Sequence, residues 1–372
     1  MFLMSCPFKK IQFMKRILLL LLFAILCSLG FAQDKAFVDS LKLADYKPVS
    51  LFKTHGEEVL APSYPVIDMH THAYEQTVEG IQRWLKEMDA NNIEKAIVMT
   101  GSHGARFDEL CDLFKSVSDR FEVWCGIDMT GWGSDDFPES AIRELERCWR
   151  RGATGVGELS DKGLGDRISR QVAVPGLHFN SDLFVPIFAK CAELGMPVNC
   201  HIGDPIWMYQ NLDEYNDGYM NAVEWKIDMS KPGVLSLYEL VATMEETCAK
   251  NPKTTFIACH FMNICHDYEY LGEVLDRNPN LYIDNAARQM ESSATPRATK
   301  RFYEKYSGRI LFGTDNYPSA SMYDLQWRIL ESEDEHFYPY QMSYHWPLHG
   351  LGLSKKVLKK VYRTNALKVL KK

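Results

Sequence analysis

The stretch PVIDMHTHAY (residues 65–74) reads as a short apolar strand that ends in two histidines separated by one residue. Side chains on a β-strand alternate between its two faces, so residues two apart point the same way. We therefore expect His70 and His72 to converge at the carboxyl end of the strand, where two imidazole nitrogens can bind a divalent metal ion. Two polar residues in a loop would give the same local pattern, and the sequence further along distinguishes the two interpretations.

Short apolar segments alternate with longer amphipathic segments from residue 64 onward. The predicted strands are Val66–His70, Lys95–Thr100, Phe121–Asp128, Gly155–Leu159, Pro197–His201, Thr255–His260, Leu281–Asp284 and Ile310–Thr314. The predicted helices are Val78–Asn91, Phe107–Ser118, Pro138–Arg150, Asp182–Leu194, Leu237–Lys250, Tyr268–Arg277, Pro296–Tyr306 and Tyr323–Glu331. This alternation predicts parallel βαβ units, and the length suits a single-domain α/β protein with a (β/α)8 TIM barrel. A doubly wound open sheet is the alternative.

Five of the predicted strands end in a side chain that can bind a metal or transfer a proton. These side chains are His70 and His72 on the first strand, Glu158 on the fourth, His201 on the fifth, His260 on the sixth and Asp315 on the eighth. A parallel barrel gathers the carboxyl ends of its strands on one face, where the active sites of this fold lie. Any one of these residues has an ordinary structural explanation, but six of them at strand ends predict a metal site.

The largest predicted insertion, residues 203–233, directly follows the fifth strand and is rich in aromatic and acidic residues. In a barrel this loop would rise over the face that carries the strand ends. Long loops in compact domains are often lids or binding loops, although packing on the barrel rim is equally compatible with the sequence. Within the insertion, Trp207 and Tyr209 are candidates to stack on a ring of the substrate.

Four short motifs and the closing helix resemble the amidohydrolase superfamily. The motifs are DMHTH (68–72), NCHIG (199–203), ACHFMN (258–263) and FGTDNYP (312–318), and the helix is VYRTNALKVL (361–370). Within the superfamily, the sequence is similar to the amidohydrolase-related branch that includes the aminocarboxymuconate semialdehyde decarboxylase-like enzymes. The resemblance extends from about Pro65 to the last residue and implies a metal-dependent barrel enzyme, without specifying its substrate.

The resemblance implies a role for most of the strand-end residues. His70, His72 and His201 would bind the metal, and Asp315 would be a further ligand or the proton carrier. His260 would lie close by and would orient or protonate the metal-bound water or the substrate. Three neutral imidazoles leave one coordination position open, and a bound metal lowers the pKa of water toward neutrality.

Glu158, in the run GVGELS (155–160), departs from the simplest one-metal pattern. It is similar to the fourth-strand glutamate that bridges two metals in the TatD-like nucleases, and such a bridge would place His201 and His260 on a second ion. Alternatively, Glu158 accepts a hydrogen bond from a ligand imidazole. We expect one divalent ion rather than two, with Zn²⁺ preferred over Mn²⁺.

Three further residues are candidates for contacts with the substrate. Arg288 follows the seventh strand in NAARQ (285–289), and its guanidinium would suit a substrate carboxylate. A structural arginine is the alternative. His103 and Arg106, in GSHGAR (101–106), follow the second strand and would also lie on the catalytic face.

Together with these residues, the resemblance implies a hydrolase that uses a metal-activated water to cleave an amide, lactone or other ester bond of a small molecule. Asp315 and His260 are the catalytic candidates. A non-oxidative decarboxylase of an aromatic or unsaturated carboxylic acid is the alternative, because the same branch includes both chemistries. A catalytically silent barrel that acts as a binding protein is a third interpretation.

The composition is that of an ordinary globular protein. The chain has 372 residues, of which 46% are hydrophobic and 24% charged, and its formal net charge is -7. Because no basic stripe is present to neutralise phosphates, the sequence argues against nucleic acid as a partner, and it leaves the oligomeric state open. The eight cysteines after residue 33 stand in apolar strand-like and helical patterns, which predicts buried free thiols rather than disulfides.

The beginning of the chain has the pattern of a targeting segment. An apolar run over residues 17–26 follows two basic residues and is too short to span a bilayer comfortably. We therefore predict a signal peptide over residues 1–33, a leader over 34–63 and the barrel domain over 64–372. The protein would be exported, periplasmic or secreted, without stable membrane insertion after cleavage, whereas an uncleaved segment would tether it.

Overall fold

The structure is a computed structural model that describes residues 17–18, 37, 39–54, 59, 61–163, 168–169, 172–339 and 344–371. The predicted signal peptide thus lies outside the described residues, apart from positions 17 and 18. The chain divides into two compact units, residues 1–48 and 49–372. In the first unit, the 3₁₀ turn Leu43–Asp45 has exposed side chains. Within the described ranges, no helix combines the length and the hydropathy needed to cross a bilayer.

The second unit is built on eight parallel strands within its described residues. They are β1 (Val66–His72), β2 (Ile93–Met99), β3 (Phe121–Trp124), β4 (Val156–Asp161), β5 (Val198–Ile202), β6 (Phe256–Ala258), β7 (Leu281–Asp284) and β8 (Ile310–Leu311). Neighbouring strands pair from β1 to β3 and from β4 to β8, and a parallel bridge between Cys125 and Val156 joins these two sheets. The first and last strands also meet, because the amide of Met69 in β1 donates to the carbonyl of Phe312, directly after β8, at 2.9 Å. The predicted TIM-barrel fold is confirmed.

Helices alternate with these strands. They are α1 (Val78–Ala90), α2 (Gly104–Val117), α3 (Phe137–Arg151), α4 (Val185–Leu194), α5 (Tyr219–Trp225), α6 (Leu237–Lys250), α7 (Tyr268–Arg277), α8 (Gln289–Ala294), α9 (Pro296–Tyr306), α10 (Ala320–Glu331), α11 (Lys355–Lys359) and α12 (Asn365–Val369). The side chain of Thr77 caps α1 by accepting from the amide of Gly80, and Ser236 and Glu239 form a capping box at the start of α6. Every helix predicted from the sequence is present, with ends that shift by a turn or less.

Strands β6 and β8 end earlier than the sequence predicts. After β8, the amide of Thr314 donates to Oδ1 of Asp68 at 3.1 Å. After β6, the amide of His260 donates to Oδ1 of Asp284 at 2.9 Å. Because these backbone donors bond to buried carboxylates rather than to the next strand, the ladder stops there. The third strand, Phe121–Trp124, is also shorter than predicted.

The C-terminal helix α12 packs against the barrel. Ala366 and Val369 join a cluster of buried apolar residues that come mainly from the strands. The side chain of Asn365 donates to the carbonyls of Ser307 and Ile310, both at 2.7 Å. These contacts fix the C-terminal helix to the start of β8 and to the residues just before it.

Residues 203–236 connect β5 to α6 and form the insertion. They include the 3₁₀ turn Ile206–Met208 and the helix α5, and they have their own apolar cluster, which contains Trp207 and Ala222. The side chain of Asn216 donates to the carbonyl of Trp207 at 2.9 Å and thereby fixes the turn of the loop. The insertion is therefore a folded element with a small core.

Part of the predicted leader belongs to the barrel unit, which begins at residue 49. The hydroxyl of Thr54 donates to the carbonyl of Glu335 at 2.7 Å. The amide of Ser63 donates to Oε1 of Glu331 at 2.8 Å. These bonds attach the segment before β1 to α10 and to the chain that follows it.

Candidate metal centre

The ends of β1, β4, β6 and β8 bring five of the predicted residues into one cluster. Nε2 of His72 lies 3.3 Å from Oε2 of Glu158 and 3.2 Å from Oδ1 of Asp315. Nε2 of His260 lies 3.4 Å from Oε1 of Glu158 and 3.9 Å from Oδ2 of Asp315. Nε2 of His70 lies 3.9 Å from Oε1 of Glu158 and 3.8 Å from Oδ1 of Asp315. Three imidazoles therefore surround two carboxylates.

His70 has the surroundings of a metal ligand. It is fully buried, and its Nδ1 lies 2.9 Å from Oδ2 of Asp284. Its Nε2 is buried without a hydrogen-bond partner. Metal-binding histidines commonly have one ring nitrogen fixed by a carboxylate in this way. The ligand atoms of His70, His72 and Asp315 lie within 4.8 Å of one another, and two imidazoles with one carboxylate fit a divalent ion.

Glu158 lies between the histidines. Its Oε1 is 2.8 Å from Nδ1 of His201, while its Oε2 faces His72. Burial opposes the negative charge, but the hydrogen bonds from His201, His260 and His72 outweigh it and hold the pKa of Glu158 well below its usual range. Glu158 is therefore an ionised carboxylate in the middle of the cluster.

His201 contacts the cluster through Glu158 and belongs to neither group of potential metal ligands found in the described residues. Its Nε2 lies 3.5 Å from Oδ1 of Asp204, at the start of the insertion. Burial raises the pKa of Asp204, but His201 and Lys162 outweigh it and lower that pKa to about 2. Like Nε2 of His70, Nε2 of His201 is buried without a hydrogen-bond partner, so the sequence-based expectation of a direct ligand stays a prediction.

The local charges give His72 and His260 opposite protonation states. Burial disfavours the charged form of both imidazoles. At His72 the hydrogen bonds with Asp315 and Glu158 prevail and raise its pKa to about 10. At His260 burial and the neighbouring His201 prevail and lower its pKa to about 4. Near neutral pH, His260 is therefore neutral, whereas His72 is protonated.

Asp315 is held in place from two directions. The hydroxyl of Tyr74 donates to its Oδ1 at 3.0 Å, and its backbone amide donates to the carbonyl of His70 at 2.8 Å. Its φ of 46° is in the left-handed region, which turns the chain sharply after β8. Burial opposes its charge, but His70 and His72 hold its pKa below the usual range.

Sequence reasoning missed three residues that organise the cluster. Asp284 fixes His70 and accepts from the amide of His260, and Tyr74 donates to the carboxylate of Asp315. Asp68 accepts from the hydroxyl of Thr314 at 2.6 Å, and burial raises its pKa to about 7. Asp68 and Tyr74 flank the His-x-His motif, and Asp284 ends a predicted strand. Their positions next to the motif and at a strand end could therefore have identified them in the sequence as neighbours of the site.

Arg288 is occupied by contacts within the protein. Its Nε donates to Oδ1 of Asn263 at 2.8 Å, and its Nη1 donates to the carbonyl of Ala287 at 2.6 Å. Its Nε also lies 3.8 Å from Oε1 of Glu291. The side chain is 11% exposed and its guanidinium is bound by these partners, while the substrate clamp stays a prediction.

A cavity of about 370 Å³ adjoins the cluster on the side of β1 and β2. Its lining includes His72, Tyr74, Ser102 and Arg106. Nη1 of Arg106 donates to Oε2 of Glu109 at 3.1 Å and its Nη2 donates to Oε1 of Gln76, but its side chain is still 44% exposed. This predicted contact residue therefore lies where a ligand next to His72 could meet a positive charge.

The other predicted contact residues lie away from this cavity. His103 precedes α2, and its Nε2 is 3.5 Å from Oδ1 of Asp128. The indole of Trp207 lies in the apolar cluster of the insertion and packs 6.0 Å from the ring of Trp346, which lies outside the insertion. The hydroxyl of Tyr209 accepts from the amide of Asp204 at 3.2 Å. Trp207 thus packs between the insertion and a later part of the chain and Tyr209 bonds within the insertion, while stacking on a substrate ring stays a prediction.

A (β/α)8 barrel with histidines and carboxylates at its strand ends defines a class of metal-dependent barrel enzymes. The family model described as Amidohydrolase matches residues 62–372, and the chain belongs to this family. The resemblance based on the sequence motifs is therefore confirmed. A search of curated proteins gives no significant match.

Solved structures share this fold at low sequence identity. 2,6-Dihydroxybenzoate decarboxylase from Rhizobium has a TM-score of 0.52 and 15% identity, covering 83% of this chain and 99% of that chain. 5-Carboxyvanillate decarboxylase from Sphingomonas paucimobilis has a TM-score of 0.51 and 14% identity, covering 83% and 99%. Dihydroxybenzoic acid decarboxylase from Polaromonas sp. JS666, solved with manganese and 2-nitroresorcinol, has a TM-score of 0.51 and 15% identity, covering 83% and 97%.

Proposed function

We propose that the protein is a metal-dependent hydrolase that cleaves an amide, lactone or other ester bond of a small molecule. The observation that carries this proposal is the group formed by His70, His72 and Asp315, in which the buried Nε2 of His70 has no partner. These three residues would hold the ion, with Glu158 beside them. When bound, a zinc-class ion supplies Lewis-acid polarisation of a carbonyl and acidifies water.

Asp315 is the proton carrier in this proposal. Its carboxylate is ionised, so it can accept the proton of an attacking water and pass it to the leaving group. The hydroxyl of Tyr74 holds Oδ1 of Asp315 and leaves Oδ2 facing His260. Nδ1 of His260 donates to the carbonyl of Ala286 at 2.8 Å, so the neutral imidazole would orient the water or the substrate by accepting a hydrogen bond at Nε2.

The substrate would enter through the cavity lined by His72 and Arg106. Its volume of about 370 Å³ suits a small molecule. Arg106 supplies a partly exposed guanidinium at its edge, which suits an anionic group on the substrate. Arg106→Ala should therefore raise KM for an anionic substrate more than for a neutral analogue, without a matching loss of kcat.

A non-oxidative decarboxylase is the second candidate. It is supported by the activities named for the three solved structures that share the fold. In that case a proton transferred to the carbon that loses carbon dioxide would replace hydrolysis. One ion is sufficient for either reaction. We propose zinc, and the manganese in the Polaromonas structure makes Mn²⁺ the alternative.

The test is metal analysis of the purified protein, followed by assays with lactones, amides and aromatic carboxylates. Hydrolysis that depends on bound metal would support the first candidate, and carbon dioxide release would support the second. Asp315→Asn should lower turnover by at least about 100-fold, because it removes the proton carrier. Asp112→Asn is the matched control, since Asp112 pairs with Arg151 on an exposed surface. Failure to bind any divalent ion after reconstitution would contradict both candidates.

We also propose that the protein is exported, as the basic and apolar pattern of residues 1–33 indicates. Expression of the full chain with a reporter fused to its C-terminus would test this directly. A processed protein in the exported fraction, with a new N-terminus near residue 33, is the expected result. An unprocessed protein that stays with membranes would favour the tether, and an unprocessed soluble protein would contradict export.

A further inference from the structure

A second, much smaller cavity lies where the insertion meets α8 and the segment after β6. Its volume is about 10 Å³. Its lining residues are Pro205, Ile206 and Trp207 from the insertion, Asn263, Cys265 and His266 from the segment after β6, and Arg288 and Glu291 from the start of α8. None of them belongs to the groups of potential metal ligands in the described residues, so this cavity is distinct from the candidate centre.

Two side chains in the wall of this cavity each have a buried polar atom without a hydrogen-bond partner in the described part of the chain. The atoms are Nε1 of Trp207, a donor, and Oε2 of Glu291, an acceptor. Trp207 is 9% exposed and Glu291 is 6% exposed. Buried polar groups in folded proteins nearly always have a partner, either in the protein or in an ordered water. An open donor and an open acceptor around one cavity therefore indicate a bound group.

The remaining contacts of these two side chains hold them in place. The hydroxyl of Tyr344 donates to Oε1 of Glu291 at 3.0 Å, which leaves Oε2 as the open acceptor. The indole of Trp207 packs on Gly218, where a Cβ would come within 2.2 Å of its Cγ. On another side, the centroid of the indole lies 6.0 Å from that of Trp346. These contacts restrict the rotation of both side chains, so neither can easily turn toward a different partner.

The size and the polar groups of the cavity determine what it can bind. The smallest cavities that hold a water measure about 10–15 Å³, so a group larger than one water does not fit. The guanidinium of Arg288 disfavours a cation, and the carboxyl group of Glu291 disfavours an anion. Cys265, like all eight cysteines after residue 33, is a buried free thiol, as the sequence predicts, and a thiol is a weak hydrogen-bonding group. A single water satisfies both the open donor and the open acceptor.

We propose that this cavity binds one water molecule, which accepts from Nε1 of Trp207, donates to Oε2 of Glu291 and thereby connects the insertion to α8. A bridging water is enthalpically nearly as favourable as a direct hydrogen bond. Trp207 lies three residues after Asp204, whose Oδ1 is 3.5 Å from Nε2 of His201. The water therefore holds the first turn of the insertion beside the candidate centre. This role depends neither on the metal nor on the substrate.

A crystal structure of the full protein tests the water site directly, at a resolution that shows ordered waters. The expected result is a single water peak within about 3.2 Å of both Nε1 of Trp207 and Oε2 of Glu291. An empty cavity would overturn the proposal. A direct hydrogen bond between the two side chains, or a partner for either atom from another part of the chain, would overturn it as well.

Hydrogen exchange in a double-mutant cycle tests whether the water connects the insertion to α8. Trp207→Phe removes the donor, whereas Glu291→Gln keeps an oxygen for Tyr344 and replaces the open acceptor with an NH₂ group. The readout is exchange in residues 206–210, where the amides of Met208 and Tyr209 are hydrogen-bonded within the 3₁₀ turn. Each variant should speed this exchange about 10-fold. The double variant should also be about 10-fold faster, because either change alone already removes the bridge.

Trp84→Phe is the matched control for the loss of a buried indole. Trp84 is 1% exposed and does not line this cavity. Its substitution should leave exchange in residues 206–210 at the wild-type rate, and circular dichroism would verify that every variant is folded. An acceleration of about 100-fold in the double variant would show that Trp207 and Glu291 act independently, which would overturn the bridge. Wild-type exchange in both single variants would overturn the connection between the insertion and α8.

Discussion

Asp284→Asn should weaken metal binding through its effect on the proton of His70. Oδ2 of Asp284 accepts from Nδ1 of His70 at 2.9 Å and from the side chain of Asn199 at 3.2 Å. Oδ1 accepts from the amides of His260 and Ala286 at 2.9 and 3.1 Å. An asparagine whose oxygen keeps the two backbone bonds must turn its NH₂ group toward His70 and Asn199. The variant therefore replaces the acceptor that faces His70 and Asn199 with a donor, without changing the size of the side chain.

The magnitude follows from these contacts. A carboxylate keeps the proton of His70 on Nδ1 and leaves the lone pair of Nε2 for a metal, whereas a facing NH₂ group favours the opposite tautomer. Loss of such a partner costs about 10–100-fold in metal affinity, or about 1.4–2.8 kcal/mol. The buried donor of Asn199 also loses its acceptor, which should lower the free energy of unfolding by about 1–3 kcal/mol.

Asp161→Asn is the matched control for this experiment. Asp161 is buried, and its Oδ2 lies 2.8 Å from Nδ1 of His178, outside the candidate centre. Both variants should lower the free energy of unfolding of the metal-free protein, measured in urea. Only Asp284→Asn should weaken zinc binding, measured by competition with a chromophoric chelator. Wild-type zinc affinity in Asp284→Asn would refute the role of His70, and an equal loss in both variants would indicate general destabilisation.

Three further substitutions test other parts of the structure. Tyr74→Phe removes the hydroxyl that donates to the proton carrier and should lower kcat/KM about tenfold, in steady-state assays, with little change in stability. Gly313→Ala would place a Cβ 2.6 Å from Cβ of His70 and should weaken zinc binding in the chelator assay, whereas Gly308→Ala meets nothing within 4 Å and should not. The hydrogen bond with Asp161 raises the pKa of His178 in the folded protein. The stability that this bond adds to the folded state is therefore complete below about pH 6.5 and is lost as pH rises through the pKa of His178 in the folded state. His178→Gln should therefore lower the free energy of unfolding in urea more at about pH 6 than at about pH 9.

The features that were predicted correctly depend on patterns within short stretches of the sequence. The two-residue period of a strand indicates that His70 and His72 point the same way, and helix periodicity gives the ends of the helices to within one turn. The barrel then follows from the alternation of these elements. Each of these signals acts over a few residues, which is why a single sequence contains them.

Contacts between distant parts of the chain account for what it did not predict. Asp284 and His70 are 214 residues apart, so the sequence does not show that one fixes the other. Arg288 was a candidate substrate contact, but the fold brings Asn263 to its guanidinium. Nδ1 of His201 faces Glu158, 43 residues earlier in the chain, and the sequence does not show that contact either.

The seam between the first and last strands runs through the candidate centre. The amide of Asp315 donates to the carbonyl of His70, next to the bond between Met69 and Phe312. A ligand that binds only the folded barrel stabilises the folded state by mass action. An ion bound by both His70 and Asp315 would therefore hold β1 and β8 together. In the metal-free protein, amide hydrogen exchange and proteolytic cleavage should begin at the contact between β1 and β8. The concentration of available metal would then determine the lifetime of the protein as well as its activity.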